Sequence, residues 1–193
     1  PNGKQMLVVG QKSSAVYGLD PDGGGKTLWS NILGRGGAAG GVQWGMAADK
    51  SAVYVAVADP GPNGKPQLTA LNAANGERLW MTPAPVLPCP EGRRCVVSQS
   101  APVTAIPGVV FSGAIDGHLR AYDSKTGKII WDFDTAGQAY DTVNGIKGSK
   151  GGALDATGPV IVDGMLFQHS GYPGVMMGPG GRNLLMAFSV DGK

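Results

Sequence analysis

One glycine-rich stretch of the sequence, residues 140–155, carries several side chains that can do chemistry. Asn144, Lys147 and Asp155 offer an amide, an ammonium and a carboxylate group, which could bind the carboxylates of a ligand or an oxygen-ligated cation such as Ca²⁺. Asn144 and Asp155 are the candidate metal ligands among them. The alternative is that the Asn and Asp side chains only stabilise turns, which is their more common use in such loops.

The two histidines are candidates for general acid–base chemistry, for which histidine is used most often. His169 precedes a long loop that continues to Asn183, and it is the candidate catalytic residue. His118 lies beside a predicted hairpin turn, and we expect it to face solvent. The catalytic residues are otherwise not assigned.

The two cysteines, Cys89 and Cys95, enclose five residues in a segment rich in Pro and Gly. Such a pair could close a disulfide in an oxidising compartment such as the periplasm. The alternative is two free thiols in a loop. A metal site is not expected at this pair, because neither a histidine nor a third cysteine is near.

All these side chains must be held in place by repeating elements of the chain. Three tryptophans are spaced 51 residues apart, and each follows a glycine by four residues. The segments 68–80 and 119–131 align without a gap, 16–29 needs one insertion, and residues 185–193 begin a fourth copy. A repeat of this length indicates one supersecondary unit that is stacked several times. The tryptophans are Trp29, Trp80 and Trp131, and the glycines are Gly25, Gly76 and Gly127.

Each unit reads as four short antiparallel strands, and in the third unit we predict them at 103–106, 109–112, 119–122 and 128–133. Asp-Gly turns favour hairpins, the glycine before each tryptophan supplies a positive φ, and the tryptophan packs against the neighbouring sheet. A four-stranded unit that repeats about every 50 residues predicts a blade of a β-propeller. The fold class is therefore all-β, a propeller of four-stranded antiparallel blades with tryptophan-docking repeats.

The expected blades belong to a single propeller domain that includes residues 1–193. A closed propeller needs at least about four blades, and an open arc would leave unpaired strand edges. We therefore expect the sequence to form about three to four blades of a larger propeller, one of roughly seven or eight blades. The chain lacks an initiator Met and a signal sequence at its start, which fits a mature product or a piece of a longer protein. The approximate blades are 5–33 (partial), 42–85, 99–137 and 157–193 (partial).

Composition and charge exclude several classes of protein. The 33 Gly, 14 Pro and 16% charged residues are typical of short strands joined by turns rather than of helices. The net charge of +2 arises from 16 basic and 14 acidic residues without a basic block, so nucleic acid is not an expected partner. No run of about 18 apolar residues occurs, so no membrane span is expected.

One tryptophan, Trp44, lies outside the regular spacing. The long connections between units fall on one face of the predicted propeller, and we expect any site on that face, around the central channel. The alignment of units places Trp44 opposite Ala101 and Thr157, at the channel-side start of the innermost strand. The ring either fills the channel as a core residue or offers a stacking platform for a flat ligand.

The pattern Ala-x-Asp/Asn-x-x-x-Gly-x-x-x-Trp at 70–80 and 121–131 resembles the tryptophan-docking repeat of pyrroloquinoline quinone (PQQ) propellers. The resemblance covers essentially the whole chain. Some stretches resemble the polyvinyl-alcohol dehydrogenase branch of this family more specifically. The resemblance implies a bacterial periplasmic or secreted quinoprotein that oxidises an alcohol or polyol, with PQQ and Ca²⁺ as cofactors and a c-type cytochrome as electron acceptor. The stretches that look like this branch are 40–48, 110–123, 142–145 and 185–192.

The resemblance also implies where the cofactor would lie. The quinone would occupy the channel mouth, held by Ca²⁺ and stacked on an aromatic ring, for which Trp44 is suited. Gln43, Asn144, Lys147 and Asp155 are suited to polar contacts with it. This segment alone is expected to be inactive.

Two features depart from the well-known alcohol dehydrogenases of this class. Those enzymes place a disulfide between adjacent cysteines against the quinone, whereas Cys89 and Cys95 are separated by five residues. No Cys-x-x-Cys-His haem site is present. The competing hypothesis is a non-catalytic propeller that serves as a scaffold for protein–protein binding in the cell envelope, like the outer-membrane assembly lipoprotein with similar blades.

Overall fold

The secondary structure is entirely β in the residues that the computed structural model describes, which are 3–88, 96–171 and 183–191. Four antiparallel sheets follow one another along the chain, and a short hairpin lies between the third and the fourth. In every sheet the strands are adjacent in sequence order, so each sheet is a simple meander. This confirms the all-β class of antiparallel blades that the repeat predicts.

The first and second sheets include residues 7–83. The first sheet consists of β1 (Leu7–Gly10), β2 (Ala15–Asp20) and β3 (Lys26–Ile32). The second sheet consists of β4 (Ala47–Ala48), β5 (Ala52–Val57), β6 (Gln67–Asn72) and β7 (Arg78–Pro83).

The third and fourth sheets include residues 103–189. The strands predicted for the third unit agree with the observed ones within one residue at each end. The third sheet consists of β8 (Val103–Ile106), β9 (Val109–Gly113), β10 (His118–Asp123) and β11 (Ile129–Asp134). The hairpin consists of β12 (Ala139–Tyr140) and β13 (Ser149–Lys150). The fourth sheet consists of β14 (Val160–Val162), β15 (Met165–Ser170) and β16 (Leu184–Ser189).

The hydrophobic core lies between the sheets. Val16, Val55 and Leu71 belong to a buried cluster formed by the first and second sheets. Smaller clusters join the second sheet to the third and the third to the fourth. Stacking of successive sheets therefore supplies the burial that a single sheet of this size cannot provide.

The three regularly spaced tryptophans, Trp29, Trp80 and Trp131, are called the lattice tryptophans below, and they occupy the same ladder position in successive sheets. Trp29 is paired with Gly18, and Trp80 is paired with Ala70, so a small residue lies opposite each indole. The indole N–H of Trp29 donates to the carbonyl of Ala73 at 3.0 Å, and Ala73 directly follows strand β6 of the next sheet. The indole of Trp80 makes the equivalent bond with the Ser124 carbonyl, at 2.9 Å. Each of these two indoles thus joins its own sheet to the following one.

The first strands of the second, third and fourth sheets lie side by side at the inner edge of the stack. The amide of Val103 donates to the Gly45 carbonyl at 3.3 Å, and the hydroxyl of Thr104 donates to the Pro159 carbonyl at 2.6 Å. The connections that lead into these three strands all arrive at the same end of the sheets. This end positions the candidate site.

Candidate functional site

Trp44 lies three residues before β4, the inner strand of the second sheet. The ladders pair Ala47 with Tyr54, Thr104 with Phe111 and Val160 with Phe167, which places Trp44 at the same position as Ala101 and Thr157. The predicted alignment of these three residues is therefore confirmed. The side chain of Trp44 is 54% exposed and lines an open groove of about 350 Å³. In this chain Trp44 is not a buried core residue.

A hydrogen bond joins Trp44 to Asp155, another of the predicted cofactor-binding residues. The indole N–H of Trp44 donates to Oδ1 of Asp155 at 3.0 Å, although the two residues are 111 positions apart. Gln43 is adjacent in sequence and half-buried, and its side-chain amide donates to the Gly40 carbonyl at 2.7 Å. The structure thus brings Gln43, Trp44 and Asp155 together at the inner edge.

Asn144 and Lys147 lie in the turn of the hairpin formed by β12 and β13, within the glycine-rich stretch 140–155. Nζ of Lys147 is 2.8 Å from a carboxylate oxygen of Asp141, and this hydrogen bond lowers the pKa of Asp141. Oδ1 of Asn144 accepts a hydrogen bond from the hydroxyl of Thr142, as expected for a turn residue. In the described part of the chain, no hydrogen bond or ion pair links Asn144 or Lys147 to Trp44.

His169 occupies a ladder position that is otherwise small. It is paired with Leu185 on β16, and the equivalent residues of the other sheets are Gly10, Ala56 and Gly113. A Cβ at Gly113 would lie 2.9 Å from Cβ of Leu154, which belongs to the connection that leads into the next sheet. Nδ1 of His169 is buried and has no hydrogen-bond partner among the described residues. Comparison of the repeats at this position could have revealed the histidine as the exception.

His118 does not face solvent, so that expectation is wrong. Its side chain is only 15% exposed, because Nδ1 lies 2.6 Å from a carboxylate oxygen of Asp132 on the neighbouring strand β11. Arg120 is fully buried and binds Asp132 at 3.0 Å and Asp116 at 2.9 Å. Burial acts to raise the pKa of Asp132, but the hydrogen bond from His118 and the charge of Arg120 lower it overall.

Asp59 is a buried carboxylate that the sequence analysis does not identify. It follows β5, is 3% exposed, and accepts hydrogen bonds from the backbone amides of Arg35 at 2.6 Å, Gly36 at 3.1 Å and Gly41 at 2.8 Å. These donors belong to the connection that leads to Trp44. The signal that could have found it is an acidic residue directly after a continuously apolar strand.

A buried pair of hydroxyls holds the connection that leads to Asp155. Oγ1 of Thr135 lies 2.6 Å from Oγ of Ser170, and Ser170 also accepts a hydrogen bond from the amide of Gly152 at 3.0 Å. At the next residue of each segment, the amide of Gly171 donates to the Ala153 carbonyl at 3.3 Å. The end of β15 therefore fixes the backbone just before Asp155.

Several buried polar atoms near this end of the sheets have no partner in the described residues. Such atoms in a native protein require an explanation, for example a water molecule or a ligand. The described part of the chain includes no group of three or more His, Cys, Asp or Glu side chains that could hold a metal ion. Cys89 and Cys95 lie outside the described residues. The unpartnered atoms are Oγ of Ser98 and Ser100, Oε1 of Gln99 and Gln168, and Nδ1 of His169.

Similar proteins were found by sequence and by structure. Polyvinylalcohol dehydrogenases from Pseudomonas sp. and Sphingopyxis sp. (strain 113P3) are 45% and 44% identical to the whole chain. The chain spans 31% of the length of each. The quinohemoprotein alcohol dehydrogenase from Comamonas testosteroni superposes with a TM-score of 0.66 over 97% of this chain and 32% of its own, at 18% identity. This likeness confirms the β-propeller fold.

No helix in the described residues is long and apolar enough to cross a membrane. The expected resemblance to the PQQ repeat and to polyvinyl-alcohol dehydrogenases is confirmed by the sequence comparisons. The family model that matches, over residues 12–147, is described as outer membrane protein assembly factor BamB. With more than two thirds of its length matched, the chain belongs to this family of PQQ-type propeller repeats, PQQ_2.

Proposed function

We propose that this chain is part of a quinoprotein alcohol dehydrogenase that resembles the polyvinyl-alcohol dehydrogenases, and that the end of the sheets around Trp44 binds PQQ. The observation that carries the proposal is the exposed indole of Trp44, whose N–H is held by Asp155 at 3.0 Å. A flat, partly exposed ring fixed by a carboxylate is suited to stacking against a planar ligand. The 45% identity to a polyvinylalcohol dehydrogenase over the whole chain supports the choice of reaction.

The residues at this end of the sheets fit a quinone and a cation. One carboxylate oxygen of Asp155 accepts the indole N–H, and the second has no hydrogen-bond partner in the described residues, which suits an oxygen-ligated Ca²⁺. Gln43 can bind a quinone oxygen beside the ring. Asn144 and Lys147 would supply further polar contacts, because their hairpin directly precedes the connection to Asp155 and Lys147 carries a charge opposite to that of a ligand carboxylate.

When bound, PQQ would supply the redox chemistry by accepting electrons from the alcohol. Trp44 would orient the ring, and Asp155 would hold the cation. His169 is the proposed general base, since Nδ1 is buried, has no partner among the described residues, and can accept a proton in the neutral imidazole.

The whole protein would extend well beyond this chain. We propose that residues 1–193 form part of a single propeller domain, with blades near 5–33, 42–85, 99–137 and 157–193, and that further blades of the same propeller complete it. Its substrate would be an alcohol or polyol, its electron acceptor a c-type cytochrome, and its location the bacterial periplasm or exterior. A disulfide between Cys89 and Cys95 remains a prediction that suits this location.

The decisive experiment uses the full-length parent protein. After addition of PQQ and Ca²⁺, we expect dye-linked oxidation of alcohols, including polyvinyl alcohol, and retention of the quinone after gel filtration. Absence of both activity and retained quinone would overturn the proposal. The 193-residue chain alone is expected to have no activity.

A second function is favoured by one observation, the description of the matching family as an outer membrane assembly factor. In that case the chain would belong to a non-catalytic scaffold that binds other proteins in the cell envelope. The same reconstitution separates the two, because a scaffold retains no quinone. Co-purification of cell-envelope proteins with a quinone-free parent would then favour the scaffold.

A further inference from the structure

The hydrogen bond between Trp44 and Asp155 joins two sheets that are not neighbours. Trp44 precedes β4 of the second sheet, and Asp155 precedes β14 of the fourth. The bond therefore crosses the inner edge of the third sheet, where the residue equivalent to Trp44 is the fully buried Ala101. Because Ala101 is small, it leaves space at the inner edge of the third sheet, and the indole from the second sheet can extend through this space to the fourth sheet.

The indole of Trp44 is held differently from those of the lattice tryptophans. Trp29 is 7% exposed and donates to a backbone carbonyl of the next sheet, so packing and the hydrogen bond both hold it. Trp44 is 54% exposed and donates to a carboxylate. A hydrogen bond to an ionised acceptor is stronger than one to a neutral carbonyl. For Trp44 the carboxylate therefore supplies a restraint that packing does not.

The acceptor is itself fixed on both sides. Before it, the Ala153 carbonyl accepts a hydrogen bond from Gly171 at 3.3 Å. After it, the Thr157 carbonyl accepts one from the side-chain amide of Gln168 at 3.1 Å. Both donors belong to β15 or directly follow it. A backbone tied at both ends holds the carboxylate of Asp155 in place before any ligand binds.

Close contact between the inner strands sets the distance that the bond must span. Pro102 lies between Gly45 of the second sheet and Gly158 of the fourth. A Cβ at Gly158 would lie 2.8 Å from Cβ of Pro102, so a larger residue there would push the fourth sheet away. Glycine at this position keeps Asp155 within reach of Trp44.

We propose that Asp155 is a positioning residue for Trp44. Its carboxylate fixes the indole across the inner edge of the third sheet, so that the ring is already oriented when a flat ligand arrives. Orientation in advance reduces the conformational entropy that binding would otherwise cost. The positioning role concerns the free protein, and its use in binding a quinone rests on the proposed function.

The test of positioning is made without a ligand on the full-length parent, labelled with ¹⁵N at its tryptophans. The indole N–H signal of Trp44 is identified in ¹⁵N NMR spectra by its loss in Trp44→Phe. In Asp155→Leu we expect this signal to shift and its exchange with solvent to accelerate by about tenfold, because the acceptor is gone. Asp155→Asn retains a carbonyl oxygen and should remain close to the wild type. Asp155→Ser, which is too short to reach the indole, makes the same comparison if the Leu variant does not fold.

An unchanged indole signal in the Leu and Ser variants would overturn the positioning role. A second measurement separates this result from the proposed function: retention of PQQ in the presence of CaCl₂ by the full-length parent and its variants. We expect Asp155→Leu to weaken retention by about tenfold and Asp155→Asn to weaken it less. If the indole signal changes but no form of the parent retains PQQ, the positioning role stands and the quinone function fails.

Discussion

The indole of Trp29 occupies space that a side chain at Gly76 would need, since a Cβ built on this glycine lies 2.5 Å from Cε3 of the ring. Gly127 has the same relationship to Trp80 in the next pair of sheets. Both glycines also have positive φ angles, of 74° and 72°. Glycine is thus needed at both positions for two reasons. The backbone has a positive φ, and the indole of the preceding sheet leaves no space for a side chain.

The first prediction separates these two requirements. Gly25 has a φ of 81°, but a Cβ there has no heavy atom within 4 Å, so Gly25→Ala incurs only the backbone strain. We expect Gly25→Ala to lower the free energy of unfolding by about 1 kcal/mol. Gly127→Ala should cost about 2 kcal/mol more, because the new methyl group overlaps Trp80. Urea denaturation measures both, and equal losses would contradict the proposed overlap.

The second prediction compares Trp44 with a lattice tryptophan. Trp44→Ala should lower the free energy of unfolding by about 1 kcal/mol or less, because the ring is more than half exposed. Trp80→Ala should cost about 3 kcal/mol, because that ring packs on Gly127 and on Tyr54. Chemical denaturation of the two variants is the measurement. A loss at Trp44 as large as that at Trp80 would restore the interpretation of Trp44 as a core residue.

The third prediction concerns stability in acid. The pKa of Asp132 in the folded protein lies below its ordinary value of 3.8, so its contribution to stability is present above about pH 4 and is lost as the pH falls through the folded-state pKa. Asp132→Asn should therefore flatten the decrease in unfolding free energy between pH 4 and pH 2. At pH 7 the same variant should lose about 2 kcal/mol, because His118 and Arg120 lose a charged partner.

Thermal denaturation at a series of pH values tests the effect of Asp132. The exposed Asp22 provides the control, since its side chain has no hydrogen-bond or ion-pair partner among the described residues and Asp22→Asn should leave the loss of stability at low pH unchanged. If Asp132→Asn and the wild type lose the same amount of stability between pH 4 and pH 2, Asp132 does not contribute to stability in the way proposed.

The fourth prediction concerns Asp59 and the connection that leads to Trp44. Asp59→Ala leaves the amides of Arg35, Gly36 and Gly41 without their acceptor, and we expect a loss of about 3 kcal/mol. Asp22→Ala, an exposed change of the same type, should stay within about 0.5 kcal/mol. Hydrogen exchange of the Gly41 amide provides a local readout. If this amide is equally protected in Asp59→Ala and in the wild type, the carboxylate does not hold the connection.

Much of the fold is predictable because it depends on contacts within one unit. The turn glycines and the four strands of the third unit are encoded locally, by residues that are close in sequence. The position of Trp44 opposite Ala101 is also predictable, because the repeat fixes the ladder register from one sheet to the next. A repeat therefore carries information about alignment that a sequence of this length without repeats would lack.

The parts that the sequence does not reveal depend on pairs that are far apart or that differ between units. His118 is largely shielded from solvent because Asp132 follows it by 14 residues on the next strand, a pairing with no equivalent in the other described sheets. The three backbone amides that bind Asp59 precede it by 18 to 24 residues, so its position after an apolar strand marks the carboxylate as unusual but does not reveal its donors. The bond from Trp44 to Asp155 spans 111 residues, and neither side chain indicates its partner in the sequence.

The ladder shift next to each lattice tryptophan bears on solubility. In the first three sheets the pairing slips by one residue between the small residue opposite the tryptophan and the residue after it. The extra residues on the outer strands are Leu28, Leu79 and Ile130, each 52% exposed. Such bulges bend and twist a strand, so its free edge is a poor template for pairing with another chain. The same bulge occurs in three successive edge strands, and the exposed side chain at each bulge is aliphatic. The bulges therefore protect these edge strands against edge-to-edge aggregation.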